Sequence, residues 1–166
     1  MAAREEEVRI RRVIACFSPG SVARPEAVAR LAQELEAEFL GLFIEDVDLL
    51  RFASLPFARE VGFPSAELRA VDLAGLERQL RAQARLLEDA LAAIFGPAAG
   101  WALRVERATP ASAVEAALAE GHAPALLVPP GTDPRGERRV MRRREVSGES
   151  LRELLRALRP VLILPE

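Results

Sequence analysis

Short apolar strands alternate with amphipathic helical periods along most of this chain, and that alternation limits the fold more than any other feature. The first apolar stretch runs from about Arg11 to Phe17 and is closed by Ser18-Pro19-Gly20, the length and punctuation of a buried strand. Ala27, Val28, Leu31, Ala32 and Leu35 then share one face of a helical period, with Arg30, Glu34 and Glu36 opposite. Pro25 suits its first turn. Phe39 to Ile44 is a second apolar strand. From Asp72 to Phe95, Leu73, Leu76, Leu80, Ala84, Leu87, Leu91 and Ile94 step by three and four residues, and Gly96-Pro97 ends this longest helix.

The second half repeats the rhythm. Trp101, Leu103 and Val105 are set against Arg104, Glu106 and Arg107, the pattern of a half-exposed strand. Thr109-Pro110 is an N-cap followed by proline at the first helical position, and Ala113, Val114, Ala117 and Leu118 carry that helix to Gly121. Ala125 to Val128 is a fourth strand, ended by Pro129-Pro130-Gly131. After an arginine-rich loop, Leu151, Leu154, Leu155 and Leu158 mark a final helix, and Pro160 to Leu164 a fifth strand. Between the second strand and the long helix, Glu45 to Gly62 is less regular. There Leu49, Leu50, Phe52, Leu55 and Phe57 suit a short helix, broken at Pro56, that packs as a lid on the domain's edge, with a ligand or partner surface as the alternative.

This order predicts a single α/β domain over residues 1–166: one open, mostly parallel five-stranded sheet, Rossmann-like, with helices on both faces. In such a sheet ligands bind beyond the carboxyl ends of the strands where the winding reverses. With the first and fourth strands adjacent, the candidate crevice is built from Phe17, Ser18, Gly131 and Thr132, with Ile44 at the end of the second strand.

Composition narrows the chemistry. The 166 residues are 50% hydrophobic and 29% charged, which suits a globular core. A net charge of −2 gives no general attraction to nucleic acid or anionic membrane. No apolar run approaches the roughly 18–20 residues that cross a bilayer. The charged stretch Met1 to Arg12 lacks the apolar centre of a signal peptide, and Cys16 is the only cysteine. The expectation is a cytoplasmic protein without membrane contact. All 23 basic residues are arginine, so neither Schiff-base catalysis nor a phosphate-loop lysine is available. One Cys and one His, His122, exclude a Cys/His zinc site, and no metal site is expected. Glu45, Asp46 and Asp48 lack metal-ligand spacing and read as solvated acids.

Four places resemble the universal stress protein family. Val13-Ile14-Ala15-Cys16-Phe17-Ser18 stands where the family has an apolar strand followed by Asp, Gly and Ser. Ala108-Thr109-Pro110-Ala111-Ser112-Ala113-Val114 looks like its G-x-P-x-x-x-I helix start. Gly121-His122-Ala123-Pro124-Ala125-Leu126-Leu127-Val128 resembles its G-A-D-L-I-V-V fourth strand. Leu155-Arg156-Ala157-Leu158-Arg159-Pro160-Val161-Leu162-Ile163 resembles its closing L-R-x-A-x-x-P-V-L-V.

The resemblance implies a non-enzymatic stress-response or adaptor domain acting as a homodimer, with an unidentified protein partner. ATP-binding members carry Gly-x-x-Gly after the fourth strand and, further on, Gly followed by Ser or Thr, whose backbone N–H groups and hydroxyl hold phosphates. Here Phe17 or Ser18 replaces the Asp and Pro129 replaces the first Gly. Gly148 answers to the third Gly but lies beyond the usual spacing, and Glu149 follows it. A cofactor of the usual family type is therefore not expected. The alternative is a switch binding ATP or another adenine nucleotide, with the loop arginines Arg135, Arg138, Arg139, Arg142, Arg143 and Arg144 replacing the glycines. In that case Arg142, Arg143 and Gly148 join the crevice. No Gly-x-Gly-x-x-Gly, phosphate-loop lysine or paired acid and base speaks for an enzyme. No aromatic residue is interleaved with the arginines for nucleic acid stacking. The short C-terminal strand, Val161 to Leu164, is the expected dimer edge.

Overall fold

A computed structural model describes residues 8–19, 25–55, 59–61, 68–70 and 72–165. The elements in chain order are β1 (Arg12–Phe17), α1 (Pro25–Glu34), β2 (Glu38–Asp46), α2 (Val47–Ala53), β3 (Arg59–Val61), β4 (Leu68–Ala70), α3 (Leu73–Phe95), β5 (Trp101–Ala108), α4 (Pro110–Ala119), β6 (Ala125–Val128), β7 (Arg139–Arg142), α5 (Gly148–Arg156) and β8 (Val161–Leu164). A 3₁₀ turn, Arg143–Glu145, joins β7 to α5. Gly20, Pro56, Phe57 and Gly62, which the sequence places in turns and the lid, lie outside the described residues.

The main sheet has the order β5-β2-β1-β6-β8-β7. β5, β2, β1 and β6 are parallel, β8 runs antiparallel to β6, and β7 is parallel to β8. The α/β, mostly parallel architecture expected from the sequence is present, with six strands rather than five. The sixth is β7, taken from the sequence as arginine-rich loop. Only Met141 of its four residues is buried, so no apolar run announces it; pairing with β8 makes it a strand.

That pairing also corrects the expected dimer edge. β8 lies between β6 and β7 in the sheet. Its backbone is occupied on both sides, so it is not the edge on which a twin would pair. The two edges are β5 and β7.

Alternation along the strands divides the core. Ile14, Cys16, Leu40, Leu42, Ile44, Leu127, Val161 and Ile163 face α4 and α5, meeting Val114, Leu118, Leu151 and Leu154. Val13, Ala15, Phe17, Phe39, Phe43, Leu126 and Val128 face α1 and α3, meeting Val28, Leu31, Leu80 and Leu91. Gly41 lies in the middle of that second face, where an added Cβ would stand 3.3 Å from the rings of both Phe17 and Phe39. A side chain there has no room, so glycine in a central strand reflects close approach. Phe95 stacks on Trp101 with ring centroids 5.5 Å apart, fixing the end of α3 to the start of β5.

In the region expected to act as a lid, Asp46 caps α2 by accepting from the Asp48 N–H at 2.9 Å. Leu50 packs against the core, whereas Leu49, Phe52 and Leu55 remain exposed. Among the described residues no helix is long and apolar enough to cross a membrane.

Candidate functional site

The reversal of winding falls where expected, between β1 and β6, whose pairing runs from Arg12 opposite Ala125 to Ala15 opposite Val128. Beyond their carboxyl ends the chain opens into two hollows, one on each face of the sheet. The first, about 460 Å³, lies on the α1 side and is lined by Cys16, Phe17, Val28, Pro129, Thr132 and Asp133, among others. The second, about 480 Å³, lies on the α5 side and includes Ser18, Ile44, Asp46, Asp48, Arg152 and Arg156.

Five of the eight site residues inferred from sequence line these hollows: Phe17, Gly131 and Thr132 the first, Ser18 and Ile44 the second. Arg142, Arg143 and Gly148 do not. Arg142 stands opposite Leu164 and Ala125 opposite Ile163, which sets the end of β7 level with the start of β6, across β8. Arg143 lines a separate concavity with Arg11, Arg12, Arg104 and Glu120 at the amino ends of the parallel strands. Gly148 opens α5 next to this turn, near Glu115. The β6–β7 connection is short in sequence, but β7 then carries the chain down the length of the sheet.

The α1-side hollow offers little to a phosphate. Among the described residues no arginine lines it, and the one charged group there is the Asp133 carboxylate. Pro129 and Pro134 contribute no N–H donors. The Thr132 N–H is directed to the Pro129 carbonyl at 3.3 Å, and the Asp133 carboxylate accepts from the Arg135 N–H at 3.0 Å. Gly131, at φ 70°, makes the left-handed turn needed to leave the strand. Among the described residues the Thr132 hydroxyl oxygen is buried without a hydrogen-bond partner. Cys16 is buried, and loss of hydration pushes its thiol up to about 12. It stays protonated at physiological pH and is no nucleophile.

No protein-family model and no curated protein matches this chain.

Sequence reading missed Arg152 and Arg156, two cations at the strand ends. They lie one helical turn apart on α5 and line the second hollow opposite Asp46 and Asp48. No sequence signal placed them there: in a parallel sheet the helix before the last strand ends at the amino ends, and only the antiparallel pairing of β8 with β6 brings the C-terminus of α5 to the carboxyl ends. Sequence also missed Ala27 and Val28, whose place follows from α1 starting directly after the β1 turn.

The remaining candidates have structural explanations. The arginines at the amino ends hold the C-terminus of α4. Arg12 donates to the Ala117 carbonyl at 2.7 Å, Arg143 donates to the Leu118 carbonyl, and Arg12 and Arg104 both bind Glu120. Cations at a helix C-terminus satisfy its orphan carbonyls and its dipole. Glu45, only 6% exposed, accepts from Arg107 at 3.1 Å across neighbouring strands, and Glu77 of α3 lies 3.7 Å from the same guanidinium. Arg135 pairs with Glu34 at 2.6 Å. Among the described residues no group of three His, Cys, Asp or Glu side chains is placed to hold a metal ion. His122 is exposed in the turn before β6.

Proposed function

We propose that this protein is a non-enzymatic, universal-stress-protein-like adaptor that acts through protein contacts, without ATP binding of the usual family type. One observation carries the reading. Among the described residues, the hollow between the ends of β1 and β6 is lined by Pro129, Pro134, Phe17 and the Asp133 carboxylate, with no cation. A triphosphate there would lose its hydration and gain no guanidinium from the described residues. Among the described residues no nucleophile with an adjacent base lines the hollow either, which favours binding over turnover.

A second reading, an adenine-nucleotide switch, is favoured by Arg152 and Arg156 in the neighbouring hollow. These two, rather than Arg142 to Arg144, would meet the phosphates, against the opposing charge of Asp46 and Asp48. Calorimetric titration with Mg-ATP separates the readings. The adaptor reading expects no saturable heat at millimolar nucleotide. Saturable binding that disappears in an Arg152→Ala/Arg156→Ala variant would establish the switch instead. Mass spectrometry of small molecules carried through native purification checks the same point without choosing the nucleotide.

A further inference from the structure

The two edges of the main sheet are unlike. β7 has four residues, and the Arg139 N–H donates to the Pro160 carbonyl at 3.0 Å. Because main-chain groups alternate sides along a strand, Arg139 and Met141 face β8, while Val140 and Arg142 face outward. The outward Arg142 N–H is taken by the Glu145 carboxylate at 3.0 Å. Antiparallel self-pairing centred on Val140 would set Arg138 against Arg142. Shortness, a capped donor and repelling charge guard this edge.

β5 has none of these guards. It spans eight residues and pairs only with β2 among the described strands. The Phe39 N–H donates to the Gly100 carbonyl at 2.9 Å, and Phe39 stands opposite Trp101. In a parallel ladder this directs the main-chain groups of Ala102, Arg104, Glu106 and Ala108 to β2. Those of Trp101, Leu103, Val105 and Arg107 point outward. Val105, at the centre of the outward set, is 51% exposed.

We infer that β5 is the homodimer interface, pairing antiparallel with β5 of a second copy about a twofold axis at Val105. Three independent features agree. First, the parity is right: Val105 meets the partner's Val105, and Leu103 meets the partner's Arg107, as pairs that exchange both N–H···O bonds using groups that already point outward. Second, the closer, non-hydrogen-bonded positions place Arg104 against the partner's Glu106, and Ala102 against the partner's Ala108. The terminal nitrogens of Arg104 already hold Glu120 of their own chain, so this adds two symmetry-related juxtapositions of opposite charge, flanked by small residues. Third, the register is specified against its neighbours. Moving the axis one residue towards the N-terminus sets Arg104 against itself, and one residue towards the C-terminus sets Glu106 against itself. An isologous pairing needs a self-complementary segment, and Ala102-Leu103-Arg104-Val105-Glu106-Arg107-Ala108 is one. This inference does not depend on whether the crevice binds a nucleotide.

The test uses the full chain. Light scattering at micromolar concentration should give twice the 18.1 kDa chain mass. Val105→Pro removes an outward donor while sparing the ladder to β2, so it should give a monomer with an unchanged circular dichroism spectrum. Val105→Cys places one thiol beside the axis, and buried Cys16 stays silent. Mild oxidation should convert most of that variant to a covalent dimer, whereas Val140→Cys on the other edge should not cross-link. A monomeric wild-type chain, or cross-linking through Val140→Cys but not Val105→Cys, overturns the proposal. The cysteine pair decides the matter even if the proline variant fails to fold.

Discussion

Glu120 shows how a single residue serves several elements at once. It closes the C-terminus of α4 and receives Arg104 through both terminal nitrogens and Arg12 at 3.2 Å. Hydrogen bonds from Arg104, reinforced by the nearby positive charge of Arg104 and Arg12, hold its carboxyl below the ordinary carboxylate range. In acid the native state therefore binds fewer protons than the unfolded chain, and stability rises with pH across that window. The contribution is complete above the ordinary carboxylate pKa and is lost as pH falls through the lowered native value. Glu120 is 40% exposed, so solvent screening keeps the gain small, below about 1 kcal/mol. Glu120→Gln should be less stable than wild type in urea at neutral pH, with the gap closing on acidification. A gap independent of pH would show that the side chain acts by packing alone.

The helices are the elements whose sequence signals translate most directly into structure, because a cap is a local bond. Thr109 accepts from the Ser112 N–H at 3.3 Å with Pro110 at the first helical position, as Thr-Pro announces. Thr109→Ala should cost about 1 kcal/mol and shift the urea midpoint without altering its slope, and Thr109→Ser should recover most of the loss. No effect of Thr109→Ala would mean that Pro110 and the packing of α4 on α5 suffice. Strands depend on partners distant in sequence, and here legibility divides. β1, β2 and β6 are apolar on both faces, so composition alone reveals them. β7 carries arginine at both ends and one buried side chain, and only the groove beside β8 makes it a strand. The same misreading displaced three of the eight inferred site residues. Phe17, Ser18, Gly131 and Thr132 were legible because strand ends locate a crevice. Arg142, Arg143 and Gly148 were not, because an unrecognised strand separates them from it.

At the scale of the whole molecule, burial is uneven, and local stability should follow it. β1 lies between β2 and β6 with both faces covered, and Val13 to Phe17 are all buried. α3 is the longest helix, yet of its 23 residues only Leu80 and Leu91 are fully buried, and Leu86 lies open to solvent. Most helical stability in a protein comes from packing of one face, and α3 relies on a single stripe packed against α1 and the sheet. Its opening exposes less apolar surface than separating the central strands, and so needs less free energy. In hydrogen exchange of the native protein, segments covering Val13 to Phe17 and Leu126 to Val128 should exchange last, through global unfolding. Segments of α3 should exchange earlier, with its N-terminal turns first: the Asp72 side chain makes no cap bond there, whereas Gly96 closes the other end by donating to the Ala92 carbonyl. The ordering rests on burial per residue rather than element length. Equal protection of α3 and β1 would mean that the α1–α3 layer and the sheet open as one cooperative unit.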